Sequence, residues 1–128
     1  MDSRILHIAC TKALASVSWE KHGEHEYVLV GDGVVGDRVM VDEPVLQSLI
    51  NSTFSATTLW LSVSRHEAAS VPKEHAARFM AAQVAPQSTV ILTDPDVHTF
   101  VELSFLGVAR TGTARANYSF QRTRCARR

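Results

Sequence analysis

Two imidazoles and two carboxylates fall within five residues at His22-Gly23-Glu24-His25-Glu26. On a loop, His22 and His25 could reach one metal ion, with Glu24 or Glu26 as a third ligand. A zinc site usually draws a further ligand pair from elsewhere, and the chain has no Cys-x-x-Cys or His-x-His to supply it. The segment therefore reads as a solvated loop tip, and no metal is expected. His66-Glu67 and Lys73-Glu74-His75 read the same way. Asp94-Pro95-Asp96, with His98 two residues on, could pair a carboxylate with an imidazole for acid–base work. The simpler expectation is a turn whose carboxylates bond nearby backbone N–H groups.

Gly31-Asp32-Gly33-Val34-Val35-Gly36 has the G-x-G-x-x-G spacing of a dinucleotide fingerprint. That fingerprint needs its glycines to open a helix and an acid about 20 residues further on to hold the ribose. Here Arg38-Val39-Met40-Val41 alternates like a strand, and Thr53-Phe54-Ser55-Ala56 occupies the place of the acid. A chain reversal is expected, and no cofactor. No G-x-S-x-G is present, and Ser64-Arg65-His66 lacks the glycines of a nucleophile elbow. Cys10 and Cys125 are too far apart in the chain to suggest a motif. Met1–Ile5 does not read as a signal peptide, so both thiols are expected to be reduced.

Thirteen Lys and Arg balance thirteen Asp and Glu, but not locally. Residues 1–102 hold all thirteen acids and seven bases, which leaves −6; residues 103–128 hold six arginines and no acid, which gives +6. The basic end, with Tyr118 and Phe120 among the arginines, could contact phosphates and stack on bases. An acidic body would repel a duplex, so nucleic acid is not the favoured partner. Glu20, Glu24, Glu26, Asp32 and Asp37 crowd two successive turns, a natural footprint for a basic protein.

The elements that must position these groups follow from periodicity. Ala13, Ala15, Val17 and Trp19 alternate with Leu14, Ser16 and Ser18, and Tyr27–Val30 returns after a polar loop, so 13–30 reads as a hairpin. Residues 4–10 could be a strand or the opening of a helix, and the strand is expected. Asp42 caps a helix with Pro44 in its first turn and Val45, Leu46, Leu49 and Ile50 on one face. A second helix starts at Pro72, carries Ala76, Phe79 and Met80, and stops before Pro86. Residues 57–64 and 88–93 read as strands, and so does a stretch within 97–108, where Val101, Leu103 and Phe105 alternate with Phe100, Glu102 and Ser104, ending at Gly107. The expected fold is α+β: a mostly antiparallel sheet of five to seven strands with two helices packed on one face. One domain spans 1–114, followed by an Arg-rich tail over 115–128.

Each place where chemistry might sit thus has a structural reading of its own. The expectation is a non-enzymatic, cytoplasmic protein-binding module of the bacterial toxin–immunity class, which blocks a basic toxin domain through an acidic surface. Glu20, Glu24, Glu26, Asp32 and Asp37 are the expected contact residues. The alternatives are a small enzyme or ligand-binding domain using Asp94, Asp96 and His98, and a nucleic-acid accessory protein using the tail. No membrane association is expected, since no apolar run approaches the ~20 residues of a spanning helix.

Overall fold

The computed structural model describes residues 2–114. The expected tail, 115–128 with Tyr118, Phe120 and Cys125, lies outside the described residues. In chain order the elements are α1 (Ser3–Leu14), β1 (Val17–Trp19), β2 (Val28–Leu29), β3 (Gly31–Val35), β4 (Arg38–Val41), α2 (Glu43–Thr53), β5 (Thr58–Ser64) and β6 (Glu67–Pro72). A 3₁₀ turn (Lys73–His75), α3 (Ala76–Gln83), β7 (Thr89–Thr93), β8 (Thr99–Ser104) and β9 (Val108–Ala114) follow. The fold is α+β. Seven strands form one antiparallel sheet in the order β1-β9-β8-β7-β5-β6, with β2 also paired to β9, and β3–β4 make a separate two-stranded ribbon. Among the described residues, no helix is long and apolar enough to cross a membrane.

The first element corrects the sequence reading. Residues 4–10 are helix, not strand, and the helix continues through Ala13 and Leu14. Asp2 explains the start: its carboxylate accepts from the N–H groups of Arg4 (2.8 Å) and Ile5 (3.4 Å), satisfying donors that a helix leaves orphaned. Leu6 and Cys10, four residues apart, are the buried pair. The alternation at 13–19 therefore belongs to two elements, with only Val17–Trp19 in a strand.

The expected 13–30 hairpin is also absent. β1 and β2 do not pair with each other; both lie antiparallel to β9, with Trp19 opposite Gly112 and Val28 opposite Ala109. Two backbone bonds, Glu20 N–H to Thr111 O (2.8 Å) and Val30 N–H to Gly107 O (2.8 Å), extend the two pairings. Residues 17–30 are thus one interrupted edge strand from which 21–27 is ejected. β9 itself, unassigned from sequence, is the strand that holds this edge.

The two expected helices are α2 and α3. Asp42 caps α2 by accepting from Val45 N–H (3.4 Å), and Pro44 stands in its first turn. Pro72 closes β6 rather than opening α3, and residues 67–72, unassigned from sequence, form that strand. Both helices pack on one face of the sheet. Leu46, Ile50, Ala76, Ala77 and Met80 meet Leu59, Leu61, Val90, Leu92, Val101 and Leu103 there, each side chain contributing about 1.5–3 kcal/mol when large and fully buried. The intervening residues point the other way, where α1 covers a second, smaller cluster of Leu6, Cys10, Val97, Phe100 and Ala114 with Trp60 and Ile91 at its margin. Period-2 alternation in β5, β7 and β8 thus feeds two cores, one on each face.

Candidate binding surface

The ejected segment 21–27 dominates one margin of the molecule. Its neck is fixed by Thr111, a fully buried hydroxyl of β9: Thr111 Oγ1 donates to Glu20 Oε2 (3.3 Å) and lies 3.4 Å from His22 Nε2. His22 N–H donates to His25 O (2.6 Å), closing a tight turn over Gly23, whose φ of +73° favours glycine. The two imidazoles then part. His22 turns in to Thr111, and the His25 ring stacks on Tyr27 with centroids 5.0 Å apart. Among the described residues no three His, Cys, Asp or Glu side chains converge as a metal ion would require.

Beside this segment lies an open cleft of about 550 Å³, lined by His22 and Val28 on one wall and by Pro44, Val45, Ser48, Leu49 and Ser52 of α2 on the other. Glu24 and Glu26 are exposed on the segment and Glu20 is exposed at its neck. Asp32 and Asp37 are exposed as well, but on the β3–β4 ribbon: Asp32 lies within β3, and Asp37 sits at the ribbon's tip beside Gly36. At roughly 3.3 Å per residue, Asp37 stands about 10–13 Å beyond Asp32. The five acids are therefore divided between two protrusions, three on one and two on the other.

The glycine segment runs into a strand at both ends. Gly31–Val35 is β3, Val35 faces Arg38 in β4, and the reversal falls at Gly36-Asp37, with φ +67° at Gly36. Gly31-Asp32-Gly33 is thus strand with a register shift rather than the turn expected there. No helix opens after the glycines, so their N–H groups do not form a phosphate cradle of the dinucleotide kind. Sequence reasoning missed the apolar content of this ribbon. β4 turns Val39 and Val41 toward the main core, while Val34, Val35 and Met40 remain 43%, 55% and 45% exposed. Tyr27, 42% exposed, and Leu29, 69% exposed, add to it. The signal was legible: alternation in 38–41 leaves Met40 on the face opposite Val39 and Val41.

The Asp94–His98 turn is built as structure. Asp94 Oδ1 accepts from the backbone N–H groups of His98 (2.8 Å) and Thr99 (3.1 Å), and Asp94 O accepts from Val97 N–H (3.0 Å). These bonds hold Val97 at φ +53°, an uncommon conformation for a β-branched residue, with its side chain buried in the α1 core. The carboxylate meets the backbone of His98, not its ring. Asp96 is exposed in the same turn.

On the α1 face, Arg110 lies across the sheet from Glu102, its Nε 2.7 Å from Oε1, and its guanidinium stacks 3.8 Å over the Trp19 ring. This row pins β1 to β9 and β8. Comparison with protein families, curated proteins and solved structures returned no match.

Proposed function

We propose that the protein is a non-enzymatic binding module that engages a basic protein partner through segment 20–26 and the β3–β4 ribbon. The observation that carries this reading is the ejection of 21–27 from an edge strand whose pairing to β9 resumes on the far side. A chain that needed only to complete its sheet would run straight from Trp19 to Val28. The loop instead carries Glu24, Glu26 and Tyr27 outward, and the neighbouring ribbon adds Val34, Val35 and Met40 with Asp32 and Asp37. Exposed aromatic and aliphatic groups beside charged ones match the anatomy of a protein interface, an apolar centre within a polar rim. The acids would steer a basic partner and speed encounter, while the apolar groups would slow its departure. In its concrete form the partner is a toxin domain and this chain its neutralising immunity protein.

The test is capture from lysate of the source cell by the wild-type chain and by a Glu24→Lys, Glu26→Lys, Asp32→Lys variant in parallel. A partner held near one-to-one by the wild type and lost by the variant at low salt supports the reading. Equal recovery by both would place the contact elsewhere. The immunity form further requires that the captured protein arrest growth when expressed without this chain.

A further inference from the structure

The two margins of the sheet differ. At one, segment 21–27 interrupts the edge between β1 and β2. At the other, β6 runs six residues and, among the described residues, pairs only with β5. Exposed edges are templates for a further strand and are usually blunted by charge, proline or a bulge. In β6 these devices sit at the ends, Glu67 with a nearby register shift at one and Pro72 at the other, and leave Ala68-Ala69-Ser70-Val71 undefended. Lys73 N–H donates inward to Thr57 O (2.9 Å), so alternation turns the backbone groups of Pro72, Ser70 and Ala68 outward. Pro72 has no N–H to leave unpaired there; Ser70 and Ala68 each offer a donor and an acceptor.

A helix frames this margin on each face. α1 packs on β5 and β6 and starts beside the β5–β6 turn, where Ser3 Oγ donates to Arg65 O (3.3 Å). Its right-handed winding puts Ile5 on the flank that overlooks β6, with Ile8 further round; they are 56% and 46% exposed. On the opposite face α3 packs against α2 on one side. Ala81 is partly buried on that side, and Phe79, 41% exposed, occupies the flank toward β6.

We propose that β6 is a self-association edge: two copies pair β6 antiparallel about a two-fold axis, joining their sheets into one, while Ile5 and Phe79 pack across the axis on either face. A second copy fits because each β6 offers the outward donors and acceptors that the other leaves unpaired. Antiparallel pairing centred on Ser70 sets Glu67 of one copy opposite Lys73 of the other, whose Nζ also donates to Phe54 O (3.1 Å), so the pairing is matched in charge at both ends. Such an isologous contact closes on itself and stops at the dimer.

Sedimentation of the full chain tests this, with Ser70→Pro and Phe79→Glu as variants. Because Ser70 N–H points away from β5, proline there removes only an intermolecular bond, and Phe79 is a surface side chain. The wild type should sediment at twice the chain mass at about 100 µM, and each variant should shift to the monomer with unchanged far-ultraviolet dichroism, since association follows mass action. A monomeric wild type at that concentration overturns the proposal. So does a dimer that survives both substitutions, or one abolished by ending the chain after Ala114 but not by Ser70→Pro.

Discussion

Cys10 and Asp94 are the residues whose chemistry the fold changes most. Burial between α1 and the sheet pushes the Cys10 thiol up from 9.0 to about 12, so it stays protonated and poorly nucleophilic at neutral pH. The folded chain holds this proton to higher pH than the unfolded chain does. The resulting stabilisation is complete below pH 9.0 and is lost as pH rises toward about 12. Iodoacetamide at pH 8 should leave the Cys10 peptide unmodified until denaturant is added, and Cys10→Ala should flatten the decline of the unfolding midpoint above pH 9.0. Native-state alkylation of Cys10 would contradict the burial. Asp94 spends its carboxylate on His98 and Thr99 N–H groups. Asp94→Ala should therefore lower stability by about 1–3 kcal/mol, as for loss of charge-assisted bonds, whereas Asp94→Asn, which keeps an acceptor oxygen, should cost less. Chemical denaturation of both variants measures the difference.

Elements here are joined by backbone approaches that tolerate no side chain. Gly107, in the β8–β9 turn at φ +83°, lies where a Cβ would stand 2.6 Å from Gly31 O and Gly33 N; Gly36, at φ +67°, has open space around it. Gly107→Ala must push the β3–β4 ribbon off the sheet, whereas Gly36→Ala meets only local strain. We expect the first to cost several times the roughly 1 kcal/mol of the second, read from urea midpoints. Comparable costs would mean the ribbon is not seated through Gly107. α1 gives a second case: Leu6→Ala should cost about 2–5 kcal/mol if the helix closes a core. These examples also mark what local sequence carries. α2 was legible because Asp42, Pro44 and the Leu46–Ile50 spacing agree, and β5 because Leu59, Leu61 and Val63 alternate on one face beside the β-branched Thr57 and Thr58. α1 was not, because Ile5, Leu6, Ile8 and Ala9 read equally as a strand until Asp2 is seen to cap them. The β1–β2 relation could not be read, because both partners are chosen by β9, about 80–100 residues on. The apolar ribbon beside the acids was half legible: alternation sets Met40 apart from Val39 and Val41 but does not say which face the core takes.

At the scale of the whole molecule, charge is divided unevenly along the chain. Among the described residues, the main cluster runs as far as Ala109 and the smaller one as far as Ala114, which pairs with Val17 and donates its N–H to His98 O (2.8 Å). Residues 115–128 add five arginines, Tyr118 and Phe120, and no acid. Removing them leaves thirteen acids against eight bases, a net charge of −5. If the folded body needs nothing from this stretch, ending the chain after Ala114 should change the unfolding free energy by less than about 1 kcal/mol, the range of ordinary surface changes. The altered charge gives a separate handle. Added self-repulsion in the truncated chain should make its midpoint rise with salt more than that of the full chain, because screening relieves the surplus negative charge. A truncated chain that is molten, with near-ultraviolet dichroism lost, would instead place Tyr118 and Phe120 in a core strand beyond β9. The same truncation bears on the acidic surface. If the arginines of 115–128 compete with a basic partner for Glu20, Glu24 and Glu26, the truncated chain should associate with such a partner faster than the full chain at low salt, and the gap should close as salt rises. Equal rates at low salt would mean that the arginines do not shield those acids.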